Sequence, residues 1–421
     1  MITKEFTLHN LILYRNILDD KILKKVQLLQ DDNCPKRLYY ELCSELFSKA
    51  EQLHLEGNLL RNYLIYLIAK DENIFSKTVE KSKGILACDS TLYQAALHDM
   101  QIIQNFISHD LHILSKKENS KFLFDFVPNT PSTAVTNYSI LHPYLNLLNK
   151  TSTPNSLVEE LLHYYSSYGC GIMSDYNAFR WNSTSGLTGI KNFDQITFDD
   201  ITGYEQQKET LVQNTCAFLA EKPANHILLI GSPGTGKSSS VKALINEPFA
   251  KNLRLVEVSK HELKSLHKLM DCLRDHSQKF IIFLDDLSFE EFEVEYKYLK
   301  SIIDGGIEIT PKNVLIYATS NRMHLIKESW DDRKGNTDDV HRFDTVNEKL
   351  SLSERFGITL TYLSPNQIEY LAIVEQMASR NNISLPLEQL KAEALKWERR
   401  HNGRSGRTVQ QFINHLLSHQ S

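Results

Sequence analysis

The sequence predicts an α/β protein in three parts: a mainly helical N-terminal domain over 1–170, a three-layer core with a parallel sheet over 199–363, and a C-terminal helical unit over 364–421. Three observations carry that prediction. Apolar residues recur at helical spacing before 170 and after 364. Across 171–198 the periodicity is lost and Gly, Ser, Thr and Asn accumulate, which reads as a linker. From 199 onward strand-sized apolar runs alternate with helical segments. A chain of 421 residues also exceeds what one ordinary hydrophobic core organises.

Segment 53–69, with Leu53, Leu59, Leu60, Tyr63, Leu64, Leu67 and Ile68, places its apolar side chains on one helical face. Segment 91–114 repeats the pattern through Leu92, Ala96, Met100, Ile103 and Phe106. Residues 141–169 read as two short helices broken at a Thr/Pro/Asn/Ser stretch, with Asn155 or Ser156 able to cap the second. In the linker, Phe179-Arg180-Trp181 suggests a base-stacking platform, but packing against a neighbouring domain is the better reading of so few aromatics. The core strands are expected at HILLI (226–230), RLVEVS (254–259), FIIFL (280–284), NVLIYATS (313–320) and ITLTYL (358–363). Buried strands joined by helices make a parallel sheet covered on both faces, whose ligands sit beyond the carboxyl ends of the strands. A polar stretch at 328–349 is expected to be a long loop, and three helical patterns close the chain.

Composition narrows the function classes. Lys and Arg total 47 against 52 Asp and Glu, a net charge of -5, so the whole chain has no general attraction for nucleic acid or anionic lipid. The basic run Lys396, Arg399, Arg400, His401, Arg404 and Arg407 leaves a local nucleic-acid patch as a weaker expectation. Six scattered cysteines with no Cys-x-x-Cys pair suggest neither a disulfide framework nor a clustered zinc site. A reducing, cytoplasmic setting is expected, since no signal peptide and no membrane span are legible.

The strongest chemical signal is Gly231-Ser232-Pro233-Gly234-Thr235-Gly236-Lys237-Ser238, followed by Ser239. It fits G-x-x-x-x-G-K-[ST] after an apolar strand and at the opening of a helix, where loop amides converge on phosphates. Its four fixed positions coincide by chance in about one chain in a hundred of this length. Lys237 is placed to reach the terminal phosphates of ATP, and Ser238 to join a Mg2+ shell. The second signal is Asp285-Asp286 at the end of FIIFL. Asp285 is expected to hold Mg2+ through water and Asp286 to polarise the attacking water, with Glu290 in reserve; a helix cap or solvated acidic turn is the plainer alternative. The third is Ser320-Asn321 at the end of NVLIYATS, where an amide can orient water or sense the terminal phosphate.

GSPGTGKSS (231–239), FIIFLDD (280–286), IYATSN (316–321), SERFG (353–357) and SGRTVQQF (405–412) together resemble an AAA+ P-loop ATPase. The likeness is closest to an uncharacterised bacterial family of AAA+ ATP-binding proteins. It covers about 170–419 well, and the preceding residues only in their helical, aromatic-rich character. The resemblance implies that Ile201 and Gly203 line the adenine pocket and that Asn321 is the first sensor. It also implies that Arg355 is an arginine finger reaching a neighbouring subunit's ATP, and that Arg407 is the second sensor on a helical lid, with Arg404 close enough to be confused with it. Independently of family, a guanidinium supplies rigid donors to the spreading phosphate charge, whereas a structural ion pair is the plainer role for either arginine. Most AAA+ proteins carry Glu where this chain has Asp286, one methylene shorter, which points to slow turnover.

The function expected is Mg2+-dependent ATP hydrolysis coupled to remodelling or switching of an unknown macromolecular partner, in a homo-oligomer with sites between protomers. A nucleotide-gated binding or loader module with little turnover, acting with nucleic acid, is the alternative. A small-molecule kinase fits less well, because it does not account for Asn321, Arg355 and Arg407 together. No Asn-Lys-x-Asp segment supports a GTPase.

Overall fold

The computed structural model describes residues 7–29, 35–115, 121–129, 153–289, 295–304, 310–322, 353–401 and 403–419, with the side chains of 109–115 excepted. It divides into two compact units. The first comprises Met1–Asn177, Gly189–Phe193 and Asp275–Gln278; the second comprises Ala178–Thr188, Asp194–Arg274 and Lys279–Ser421.

The first unit is helical: α1 (Lys21–Leu28), α2 (Lys36–Leu53), α3 (Leu59–Lys70), α4 (Ile74–Lys81), α5 (Thr91–Ser115), α6 (Lys121–Phe124) and α7 (Pro154–Tyr168). α7 packs on α4 and α5 around Phe75, Val79, Met100, Leu161 and Tyr165. The fully buried Asp99 carboxylate accepts the backbone amides of Ile12, Leu13 and Tyr14 at 2.8, 2.7 and 3.1 Å, so its burial leaves no unpaired acceptor.

Two local expectations are corrected in this unit. The pattern at 53–69 is two helices, because His54 adopts a left-handed conformation (φ 53°) that ends α2, and Asn58 then caps α3 by accepting the Arg61 amide at 3.1 Å. At α7 the cap is Thr153 rather than Asn155 or Ser156; Ser156 instead returns the second half of a capping box. The shorter helix expected before it lies among residues outside the described set.

The second unit carries a seven-stranded sheet: β1 (Ala178–Asn182), β2 (Gly186–Gly189), β3 (Ile227–Gly231), β4 (Leu253–Glu257), β5 (Lys279–Leu284), β6 (Val314–Ser320) and β7 (Ile358–Tyr362), in the order β2-β1-β4-β5-β6-β3-β7. Pairings from β1 to β4 and throughout β4-β5-β6-β3-β7 are parallel. β5 and β6 are buried along their whole length, as a sheet covered on both faces requires. Helices α8 (Glu205–Leu219), α9 (Lys237–Ala243), α10 (Leu266–Arg274) and α11 (Glu295–Ile303) alternate with the strands. After β7, α12 (Gln367–Arg380), α13 (Leu387–Arg400) and α14 (Gly406–His419) close around Tyr370, Val374, Ala394, Val409 and Ile413.

The stretch 171–198, expected to be loop, contributes β1 and β2 to this sheet. Strands of four and five residues are too short to stand out from a Gly- and Ser-rich background. Phe179 and Trp181 are therefore core residues of the sheet: both are buried, and the Trp181 indole donates to Ser265 Oγ at 2.8 Å. Arg180, on the opposite face, pairs with Glu257.

β3 lies between β6 and β7, while the chain leaving it returns at β4, three places away. Such a change of direction opens a crevice at the carboxyl ends of the strands. Gly231, which ends β3, shows how tightly this region is built. Its φ is +140°, and a Cβ there would lie 1.9 Å from the Tyr362 carbonyl of β7, so only glycine fits.

Candidate functional site

At that crevice a cleft of about 590 Å³ is lined by the loop after β3, the ends of β5 and β6, the segment before α8, and helices α12 and α14. Pro233, Gly234, Thr235, Gly236, Lys237, Ser238 and Ser239 line it from the loop; Gly231 and Ser232 stand behind them and present their carbonyls to Lys237. The Lys237 ammonium, almost fully buried, donates to Gly231 O at 2.9 Å, Ser232 O at 2.7 Å and Asn321 Oδ1 at 3.0 Å. Burial pulls its pKa below the ordinary lysine range; the Asp286 and Asp285 carboxylates oppose that shift and the Arg407 charge adds to it.

The acidic pair lies directly opposite. Asp285 Oδ1 accepts from Ser238 Oγ at 2.6 Å and from Thr319 Oγ1 at 2.6 Å. Asp286 follows in a left-handed conformation (φ 50°), and its Oδ1 accepts from Asn321 Nδ2 at 2.7 Å. Two chains of hydrogen bonds result: Lys237 to Asn321 to Asp286, and Ser238 to Asp285 to Thr319. Hard oxygen donors from Ser238 and Asp285, beside a loop suited to phosphates, are the donor set Mg2+ prefers when water and phosphate oxygens complete its shell. Among the described residues no cluster of three or more His, Cys, Asp or Glu could hold a metal by itself.

On the far side, α14 is seated on the loop. The Arg407 amide donates to Gly234 O at 3.3 Å, and a Cβ on Gly234 (φ +76°) would come within 3.0 Å of both Arg407 Cβ and Ser405 Oγ. Glycine at 234 thus lets the helix start close over the loop, and the Arg407 side chain lines the cleft. Arg404 takes a different role, pairing with Glu398 at 2.9 Å. Lys396 pairs with Glu393, and the His401 ring stacks on Trp397 at 4.0 Å, so much of the basic run is engaged within the helical unit.

Ile201 lines the cleft together with Thr202 and Tyr204, while Gly203 faces an adjoining pocket and not the cleft itself. This segment is tied to α12: Arg380 pairs with Asp200 at 2.9 Å, and Thr202 donates to Gln376. The Thr197 amide bond, at 2.8 Å, holds the Asp200 carboxyl below its usual range. The Tyr204 ring packs against Tyr362 with centroids 4.8 Å apart and the rings tilted by 31°.

Besides Gly203, two expected site residues are not in this group. Arg355 does not line the cleft of its own chain; its guanidinium is paired with Asp304, just beyond α11. Glu290 lies outside the described residues. Conversely, sequence reasoning missed Thr319, Thr202, Tyr204 and the α12 residues Ile373 and Met377. Thr319 had a usable signal, since it lies two residues before Asn321 at the end of the predicted strand, a spacing that puts both on one face where the strand continues.

Residues 174–420, more than half of the chain, match the family described as "Protein of unknown function (DUF815)". The chain belongs to this family. A strand-loop-helix with Lys237 beside the acidic end of β5, in a parallel sheet followed by a helical unit, is the arrangement expected from the sequence. The comparison with curated proteins gave no match. Among solved structures the chain is similar to the Thermotoga maritima RuvB Holliday junction branch migration motor, at 18% identity and a TM-score of 0.35, over 52% of this chain and 63% of that one. A mutant of the same RuvB gives 18%, 0.36, 52% and 64%. The chain thus spans less than two thirds of the length of these structures. Among the described residues no helix is long and apolar enough to cross a membrane, and the five described cysteines are free thiols.

Proposed function

We propose that the second unit binds ATP with Mg2+ and hydrolyses it, and that this drives remodelling or switching of a macromolecular partner. The observation that supports this reading is the convergence in one cleft of Lys237, Ser238, Asp285, Asp286, Asn321 and Arg407. Lys237 and the loop amides bind the phosphates, and Ser238 with Asp285 would hold Mg2+. When bound, the ion screens the phosphate charge during transfer. Asp286 accepts a proton from the attacking water, Asn321 orients that water, and Arg407 reports the nucleotide to the helical unit. Arg355 serves the cleft of a second copy of the chain, so the complete site forms in a homo-oligomer.

A second reading is a nucleotide-gated binding or loader module with little turnover, acting with nucleic acid. Two features favour it: the short reach of Asp286, and the bond of 2.7 Å that engages its carboxylate with Asn321.

Phosphate release, measured beside calorimetric Mg-ATP binding, separates the two. On the ATPase reading Asp286→Asn keeps ATP affinity within about threefold and lowers turnover by roughly a hundredfold, the usual worth of a positioned base. Wild-type protein that binds Mg-ATP but releases no phosphate, with or without DNA, RNA or co-purifying proteins, would leave the gated module. Absence of binding would end both readings.

A further inference from the structure

We propose that Thr319 is a positioning residue of the nucleotide site, a single hydroxyl that sets both acidic residues at the end of β5. The inference rests on the ATPase reading above. Thr319 near the end of β6 and Asn321 just beyond it both line the cleft, while Ser320 between them does not and accepts the Arg322 amide at 3.1 Å. In the parallel register Leu284 stands opposite Ala318, which brings Thr319 level with Asp285.

Three bonds follow from that placement. Thr319 Oγ1 donates to Asp285 Oδ1 at 2.6 Å and accepts the Asp286 amide at 2.9 Å, and its carbonyl accepts the Leu287 amide at 2.7 Å. A hydroxyl has one proton and two lone pairs, so it can serve the carboxylate and the amide at once. At 1% exposure, Thr319 has little water to replace either bond. The Asp286 backbone meanwhile holds a left-handed conformation, which Asp visits more readily than most residues with a Cβ. Bonds to Thr319 from the amides of Asp286 and Leu287 clamp that conformation. It aims the Asp286 carboxylate at Asn321. Thr319 thus fixes the metal-side carboxylate through its side chain and the water-side carboxylate through the backbone that carries it, touching neither substrate nor water itself.

Valine matches threonine in shape but can neither donate nor accept, and serine keeps the hydroxyl. Thr319→Val should lower kcat for phosphate release between about tenfold and a hundredfold, the range typical of partners that orient a metal ligand. The Mg2+ concentration for half-maximal rate should rise severalfold. In calorimetry the tightening of ATP binding by Mg2+ should shrink, with Mg2+-free ATP affinity staying within about twofold of wild type; Thr319→Ser should follow wild type within about threefold on every measure. Should Thr319→Val fail to fold by circular dichroism, Thr319→Cys, whose thiol bonds weakly, replaces it with the same expectations. A Thr319→Val protein with wild-type kcat and Mg2+ dependence overturns the proposal. So does equal loss of Mg2+-free binding, or a Thr319→Ser variant as impaired as the valine. Wild-type phosphate release no faster than that of Lys237→Ala would instead refute the ATPase reading, and the Mg2+ calorimetry would still decide the role of Thr319.

Discussion

Removing the Lys237 ammonium is the most direct perturbation of the site, and the structure gives the size of two effects that must be kept apart. The ammonium makes three hydrogen bonds, at 2.7, 2.9 and 3.0 Å, all within the loop and to Asn321. Lys237→Ala leaves two carbonyls and one amide oxygen without that donor. Lys237 itself lines the cleft, so water can enter the space it leaves and replace the lost donor, and the loss of fold stability should be about 1 to 2 kcal/mol. Binding is a larger matter. Two ammonium-phosphate bonds at about 1.5 to 3 kcal/mol each amount to roughly 3 to 6 kcal/mol. Phosphate oxygens must displace bonds the ammonium already makes, so the lower end applies, about 3 kcal/mol or a hundredfold in Kd. Calorimetry with Mg-ATP should show that loss, and thermal melting should show a folded variant whose midpoint ATP no longer raises. An affinity within about threefold of wild type would refute the phosphate-binding role of the loop, whatever the sequence pattern suggests.

Two further outcomes follow from the same structure. Arg355→Ala should leave Mg-ATP affinity within about threefold and lower turnover tenfold or more, and mixing it with Lys237→Ala should restore part of the activity; unchanged turnover would make the Asp304 pair purely structural, a surface pair worth about 1 kcal/mol or less. His226 accepts the Ile316 amide at 2.9 Å through Nδ1, and burial pulls its pKa down to about 4, so the unfolded chain binds the extra proton between pH 6.5 and 4. Its contribution is complete above about pH 6.5 and is lost as pH falls toward 4, by about 3 kcal/mol at most. Denaturant unfolding of wild type and His226→Gln across that window should converge on acidification, and parallel curves would exclude the assignment.

What was legible in the sequence is what depends on local pattern. HILLI, FIIFL and NVLIYATS announce buried strands because each is a run of apolar residues with no polar alternation, which only a sheet covered on both faces can hold. The loop after β3 is legible because its glycines answer to backbone geometry within one turn, as the positive φ of Gly234 (76°) and Gly236 (93°) shows. β1 was not, since its place depends on pairing with β4, some 75 residues later, and nothing in Ala178–Asn182 states that partner; β2 joins the sheet only through β1. The break at His54 was equally hidden, because a single left-handed residue interrupts a helix without disturbing the apolar spacing on either side. Asp304, the partner of Arg355, is a long-range pairing with no sequence signature at all.

The residues of the cleft are also less separable than their motifs suggest. Asp286 belongs to both hydrogen-bond chains: its carboxylate ends the one that starts at Lys237, and its amide is held by Thr319, which ends the one that starts at Ser238. On the proposed reading, a phosphate that drew Lys237 from Asn321 would free one restraint on the Asp286 side chain, and Ser238 and Asp285, were they to hold a metal, would pull on the hydroxyl that fixes its backbone. The groups proposed for phosphate, metal and water therefore meet at a single residue, Asp286. Substitutions along either chain will not add, because neighbours in one network couple by amounts comparable to their single effects. On the backbone that Thr319 holds in place, the Asp286 carboxylate meets Asn321 at 2.7 Å, so a change at either Thr319 or Asn321 should be felt at Asp286.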